Sequence, residues 1–359
     1  MEIKYVPFLK SKPNEIHALS EMASDLTPQI CPFFDYPKKQ NGDTEIKMER
    51  TISGLAKKFG KYLQKINSFY FDIYDINDDL EINGKHIYAF VLEKFASLPM
   101  IPVVGIDRSH QHQASVVELK KNGLIVSDVI AFRVTQEDFQ NFHVVKSDIE
   151  DILHEVFSLF EGIDLIFDCR ICTNADTKKI AGEIANFSDC FCKEFPVRNI
   201  IISGSSVPAS VAEVLSPNSE DCIQRIEIDI YKETQKILKG NTLVFGDYTT
   251  ISPDYSDADI PPQQMQNRIT ARLTYSFNAQ HYFIRGGSLK TKGREQYFDL
   301  AATLCGKPFF RHGNSPGDLY FEEKSKRQGD KCYVNTVIKP SINSHMTYMV
   351  QKISTNGSI

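Results

Sequence analysis

The chain has 359 residues, 42% of them hydrophobic and 24% charged, with 41 Lys plus Arg against 46 Asp plus Glu. That balance excludes a disordered tail, a fibre and a surface built throughout for nucleic acid, since a formal net charge of -5 offers no overall attraction for a polyanion. The opening "MEIKYVPFLKSKPNEIH" lacks the basic and long apolar regions of a signal peptide, and no later run reaches membrane-spanning length, so a cytoplasmic protein with reduced thiols is expected and a membrane partner is not.

Taken in order, "KYVPFLK", "QICPFFDYP", "SFYFDIYD", "MIPVVGIDR", "DVIAFRV", "IDLIFDCR", "RNIIISGSS" and "NTLVFGDYT" are eight short runs rich in β-branched and aromatic residues, each ending in charged or hydroxyl groups. Between them lie segments of helical period, such as "KMERTISGLAKKFGKYLQKI", "IEDILHEVFSLFEG" and "DTKKIAGEIANFSDCFCKEF". Strands that alternate with helices run parallel, and parallel strands are covered on both faces, which is why Met100 to Ile106 reads as unbroken apolar sequence. Eight such units close into a TIM-type (β/α)8 barrel, an α/β fold whose closure removes exposed edges. An open doubly wound sheet is the alternative, weakened because "SGSSVP" has neither the third glycine of a dinucleotide loop nor the lysine of a P-loop.

The barrel core is expected over residues 1–253 and a C-terminal α+β elaboration over 254–359. After the Pro- and Asp-rich "DYTTISPDYSDADIPPQQ", "ARLTYSF", "NAQ" and "HYFIRGG" read as a hairpin, "EQYFDLAATLC" and "SHMTYMVQKI" as helices, and "QGDKCYVNTVIKPS" as strand or loop. The elaboration is expected to pack on the barrel and to supply part of its outer layer.

Active sites of such barrels lie at the C-terminal ends of the strands. There the sequence sets Lys10, Asp35, Asp72 with Asp75, Asp107 with Arg108, Arg133, Asp168 with Arg170, Ser203 with Ser205, and Asp247. Period-two alternation puts Asp168 and Arg170 on one face and predicts an inward Asp107 with Arg108 at the rim. Unpaired buried charges are costly, so these groups must pair, hold metal or meet a ligand. One reading is a pocket for an anionic or nucleotide ligand, bound by Lys10, Asp35, Arg108, Arg133, Arg170, Ser203, Ser205 and Asp247, with Arg285, Ser315 and Asp318 added from the elaboration. Within it Asp72, Asp107 and Asp168 are the catalytic candidates, and Asp35, Asp72, Asp107 and Asp168 the candidate ligands of Mg or Mn. The plainer reading is a salt-bridge layer that plugs the barrel.

Cys169, Cys172, Cys190 and Cys192 have zinc-like spacing, but a helix running down the barrel separates the two pairs by more than roughly 15 Å, so packing thiols are expected. His110 and His112 of "SHQHQ" read as a loop pair near the mouth, able to act as acid or base or to grip phosphate. "RHGNSPGDLYF" is a turn that would set Ser315 and Asp318 over the mouth, and "FIRGGSLKTKGR" gathers Arg285, Lys290, Lys292 and Arg294 in a basic turn.

Together "YVPFLKSKPNEIHAL", "QICPFFDYP", "IPVVGIDR", "LIFDCRI", "IISGSSVP", "FGDYTTISP", "FIRGGSLKTKGREQY" and "SPGDLYF" resemble the Beta-protein family of phages, satellites and bacterial mobile islands, nearly end to end. The positions that match are Lys10, Asp35, Asp72, Asp107, Arg108, Asp168, Ser205, Asp247, Arg285, Gln296, Tyr297, Ser315, Gly317 and Asp318. The chain departs from the family in having no Trp before "GD" and a single histidine, His345, in "NSHMT". The resemblance implies no particular reaction; it implies a role in anti-phage defence or growth exclusion beside a protein partner from the same gene module. A metal-dependent hydrolase of a phosphodiester or nucleotide is the alternative, with Arg133 or Arg170 stabilising the developing negative charge.

Overall fold

The computed structural model describes residues 2–38, 43–240, 242–254, 269–356 and 359. In chain order the elements are β1 (Tyr5–Lys10), α1 (Pro13–Ser20), β2 (Phe33–Asp35), α2 (Glu45–Tyr62), β3 (Phe69–Asp72), a small hairpin of β4 (Glu81–Ile82) and β5 (Lys85–His86), and α3 (Ile87–Lys94). There follow β6 (Met100–Val104), α4 (His110–Lys121), β7 (Val129–Thr135), α5 (Phe142–Phe157), β8 (Gly162–Ile171), α6 (Thr177–Glu194) and β9 (Val197–Ser205). The next are β10 (Ser219–Gln224), α7 (Ile226–Ile237) and β11 (Leu243–Asp247).

Strands β1, β2, β3, β6, β7, β8, β9 and β11 pair in parallel, and β11 pairs back with β1, Tyr5 opposite Phe245, which closes the barrel. The eight barrel strands are the eight expected runs, and closure removes the open-sheet alternative. Alternation along each strand divides the apolar residues into two layers. Val6, Phe8, Phe33, Ile101, Ile166 and Val244 fill the lumen, whereas Tyr5, Phe34, Phe71, Phe132, Leu165 and Ile202 face the helices. In β6 the inward Ile101 and Val103 alternate with the outward Met100 and Val104, so both faces are buried as the apolar run requires. Helices begin where short polar side chains can accept a free backbone N–H: Thr44 from Lys47 at 3.3 Å, Ser109 from His112 at 3.1 Å and Asp176 from Lys179 at 3.1 Å.

Beyond the barrel strands, β12 (Thr270–Phe277) and β13 (Gln280–Ser288) form the expected hairpin, turning through Asn278 at φ 46°. β10, which leaves the barrel between β9 and α7, adds to it antiparallel, Asp221 opposite Phe283. Helices α8 (Gln296–Cys305) and α9 (Pro316–Ser325) cover one side of this sheet around Leu273, Tyr275, Ile284, Tyr297, Leu304 and Phe321. Then α10 (Ile338–Asn356) returns to the barrel, packs on α1 and β1, and places Ile342, Met346, Met349 and Val350 in the barrel's own core. It fills the place of an eighth crossover helix. "SHMTYMVQKI" lies inside it, and "QGDKCYVNTVIKPS" is turns leading into its first turn. Most of "DYTTISPDYSDADIPPQQ" lies outside the described residues.

Candidate functional site at the barrel mouth

Beneath the strand ends the lumen is filled by a stacked aromatic floor, Phe8 against Phe33 with centroids 4.4 Å apart. On it rests Arg133, its guanidinium carbon 4.9 Å from the Phe33 ring. All five N–H groups of Arg133 are engaged. Nη1 donates to Asp35 at 2.8 Å and Asp72 at 2.7 Å, Nη2 to Asp168 at 2.5 Å and the Tyr248 hydroxyl at 3.2 Å, and Nε again to Asp168 at 3.2 Å. Tyr248 in turn donates to Asp168 at 2.7 Å. Strand alternation aims every one of these side chains inward. Burial disfavours the ionised form of Asp72, yet the guanidiniums of Arg108 and Arg133 outweigh it and hold the carboxyl well below the usual range. Asp168 is lowered in the same way, by Arg133 and Arg170 against burial, and burial beside Asp168 raises the Tyr248 phenol.

Around this centre stands a rim. Lys10 reaches Asp75 at 2.5 Å and Asp35 at 3.6 Å. Arg108 donates to Asp72 at 2.5 Å and to Asp107 at 2.5 Å. Its side chain is 5% exposed, whereas that of Asp107 is 35% exposed, so the expected inward Asp107 and outward Arg108 are reversed. The reason is local: β6 stops at Val104, and the chain turns at Gly105, whose carbonyl accepts from Arg108 N at 3.2 Å, so the alternation of the strand no longer applies at 107 and 108. Arg170 pairs with Asp254 at 2.7 Å. Tyr74, half-buried in the loop after β3, leans over the opening, with the guanidinium carbons of Arg133, Arg170 and Arg108 at 4.5, 4.6 and 5.0 Å from its ring centre.

The four aspartates proposed as metal ligands therefore do not share an open site. Asp35, Asp72 and Asp168 converge on a guanidinium, Asp107 stands apart on Arg108, and no group of three or more metal-ligating side chains with suitable placement exists among the described residues. All eight cysteines are free thiols; Cys169 and Cys172 are buried behind the wall of β8 and are not gathered with Cys190 and Cys192. His112 is buried on α4, stacked on Tyr88 at 3.8 Å with Nε2 2.9 Å from the Val103 carbonyl, and His110 is exposed.

Of the remaining candidates, Ser203 faces the lumen beside Asp168, its partner in register, and Ser205 accepts from Val207 N at 3.1 Å. Asp247 does not face the mouth as expected. Alternation in β11 aims Val244 and Tyr248 inward and Asp247 outward, where it accepts from Tyr5 at 2.6 Å and from Arg225, and lies 3.0 Å from His345 Nε2 of α10. Ser315 and Asp318 do not lie over the mouth as expected. Ser315 caps α9 by accepting from Asp318 N at 3.0 Å, and the Asp318 carboxylate takes hydrogen bonds from Tyr275 at 2.9 Å and Ser344 at 2.7 Å inside the elaboration. Arg285 likewise stays in the added sheet, donating to Thr270 Oγ1 at 3.0 Å and to the Leu215 carbonyl.

Sequence reading missed Tyr74, Tyr248 and Glu15. Tyr248 was accessible to it: the count inward from Val244 through Gly246 lands on Tyr248, not on Asp247. Glu15, on α1 just past the mouth, is 4% exposed, and burial raises its carboxyl to about 7.

Fold and mouth together define a class: a (β/α)8-barrel protein whose strand-end charges are crosslinked through one central arginine. The chain belongs to the Beta protein family, whose model matches residues 5–351. A comparison with curated proteins gave no match. Among solved structures, the spore cortex-lytic enzyme SleL of Bacillus cereus is similar at 9% identity and a TM-score of 0.31, over 96% of this chain and 74% of that one. No helix among the described residues is long and apolar enough to cross a membrane.

Proposed function

We propose that the protein is a ligand-binding barrel that takes an anion at its mouth, as a component of an anti-phage defence module of a phage or other mobile element, alongside a protein partner from that module. Membership of the Beta protein family supports the setting. The observation that carries the chemistry is the convergence of Arg108, Arg133 and Arg170 on the Tyr74 ring. Each guanidinium is already paired with carboxylate, so what draws an anion here is unused N–H capacity, above all Arg170 Nη1, which can donate charge-assisted hydrogen bonds beside the ring. Arg133 has no N–H group left to offer and acts as the anchor. Arg170 is the binding group, since among the described residues its side chain hydrogen-bonds only to Asp254 and leaves Nη1 without a partner, whereas Arg108 is held by Asp72 and Asp107. The hydrolase reading is less favoured, because a divalent ion would have to displace Arg133 from three carboxylates.

Thermal unfolding in the presence of ATP, inorganic phosphate or citrate tests the binding. A rise in Tm for the wild type that is absent in Arg170→Gln is expected, and no rise with any of the three would sink the reading. For the biological setting, efficiency of plating on a phage-susceptible host is expected to fall with the wild type and recover with Arg170→Gln. Equal plating with and without the wild-type protein across a phage panel would remove the defence role.

A further inference from the structure

Building on that anion-binding reading, we propose that the ligand is a phosphate ester whose phosphoryl group seats over the ends of β8, β9 and β11, on Arg170, Ser203 and Thr249. The mouth has two unlike halves. On β2, β3, β6 and β7 the strand-end groups Asp35, Asp72, Arg108 and Arg133 are tied to one another. On β1, β8, β9 and β11, which are contiguous in the barrel, four buried polar atoms have no hydrogen-bond partner among the described residues: Ser11 Oγ, Arg170 Nη1, Ser203 Oγ and Thr249 Oγ1. Ser203 is 1% and Thr249 2% exposed. Buried polar atoms are nearly always satisfied in folded proteins, and four orphans at the ends of adjoining strands mark the place of an absent partner.

All four atoms are donors. They call for a group rich in acceptors, and the guanidinium among them calls for negative charge; a phosphoryl group with several terminal oxygens meets both needs better than a planar carboxylate. Two of the donors are also presented on strained backbone. Arg170 lies at φ 48° and Thr249 at φ 57°, a left-handed conformation that is costly for any residue but glycine and most of all for a β-branched one. Both are held there by the same device: the backbone N–H donates to the carboxylate two residues earlier, Arg170 to Asp168 at 3.0 Å and Thr249 to Asp247 at 2.8 Å. The same backbone device thus recurs at a bulge in the last residues of strand six and in the turn just past strand eight, on either side of Ser203 of strand seven. In (β/α)8 barrels the loops after the seventh and eighth strands frequently hold phosphate.

Calorimetric titration of the full chain with inorganic phosphate, phenyl phosphate and citrate tests this. Wild type is expected to bind both phosphates, Ser203→Ala and Thr249→Val to weaken them about tenfold each with citrate unchanged, and Arg170→Gln to lose all three. Removing an unpartnered hydroxyl should not lower the Tm of the ligand-free protein, which separates this outcome from misfolding. Phosphate affinity unchanged in Ser203→Ala and Thr249→Val, but lost in Arg170→Gln, overturns the phosphate seat and leaves an anion site. No binding of any probe to wild type overturns both.

Discussion

Arg133 on the fifth barrel strand and Asp35 on the second face each other across the lumen, and their side chains meet at 2.8 Å. With Asp72 and Asp168 on the same guanidinium, this arginine joins four strands at the level where the barrel would otherwise be open. Replacing it by Met keeps the length and apolar stem but leaves the buried Asp168 without its paired cation, while Asp72 retains Arg108 and Asp35 retains Lys10. The expected loss is about 3–5 kcal/mol, read from urea unfolding at neutral pH. Adding Asp168→Asn to the Met variant should recover part of it, because one uncompensated charge is then gone. A loss below roughly 1 kcal/mol for Arg133→Met would mean that solvent reaches the centre and screens it.

Glu15 makes stability depend on pH with a definite sign. Burial raises its folded-state carboxyl to about 7 from an ordinary 4.5, so its favourable contribution is complete below the ordinary value and is lost as pH rises toward 7. The shift corresponds to roughly 3 kcal/mol at most. Glu15→Gln should match the wild type near pH 4 and exceed it at pH 8. Parallel stability curves for the two proteins between pH 4 and 8 would rule out the raised carboxyl.

Legibility of the sequence followed the physics of alternation. The eight wall segments were readable because parallel strands buried on both faces must be apolar throughout, and the inward set at the mouth followed wherever a strand continued to its last charged residue, as at Asp35, Asp72, Arg133 and Asp168. Alternation failed where the strand ended early. Arg108 turned inward because Gly105 starts a turn, and Asp247 went outward because parity inside β11 favours Tyr248. What remained hidden was which charge would neutralise which. That depends on side chains reaching across the lumen, from strands far apart in sequence, and Tyr74 closes over them from a loop with no periodicity to read. The place of Ser315 and Asp318 was equally hidden, since a Ser-Pro-Gly-Asp turn serves as readily to cap a helix as to hold a ligand.

Arg170 sets stability and binding against each other. At φ 48° any side chain is strained by roughly 1 kcal/mol relative to glycine, and the exposed contact to Asp254 returns little of that. Arg170→Gly is therefore expected to raise the unfolding free energy by a few tenths to about 1 kcal/mol while abolishing the anion-dependent rise in Tm. Loss of both stability and binding would assign the arginine a packing role against Tyr74.

His345 links α10 to the barrel wall, and its chemistry fixes its tautomer. Burial lowers its pKa and outweighs the neighbouring Asp247 carboxylate, so the ring is neutral. Nε2, facing Asp247 at 3.0 Å, must then carry the proton; Nδ1 accepts from the Ser276 hydroxyl at 2.6 Å, and Ser276 Oγ is left to accept from His281 Nδ1 at 2.9 Å. Both histidines are lowered by burial, so their contribution is present above the ordinary value of 6.5 and falls away as the unfolded chain takes up protons below it. His345→Phe keeps the ring but removes both hydrogen bonds, leaving the Ser276 hydroxyl without its acceptor and Asp247 short of one donor. A loss of about 2–3 kcal/mol at pH 8 is expected, narrowing as pH falls from 7 to 5. Nitrogen-15 shifts of the folded protein should show both rings neutral at pH 7, with His345 carrying its proton on Nε2. A His345 signal that titrates near 6.5 in the folded state would mean that water reaches the joint between α10 and β11.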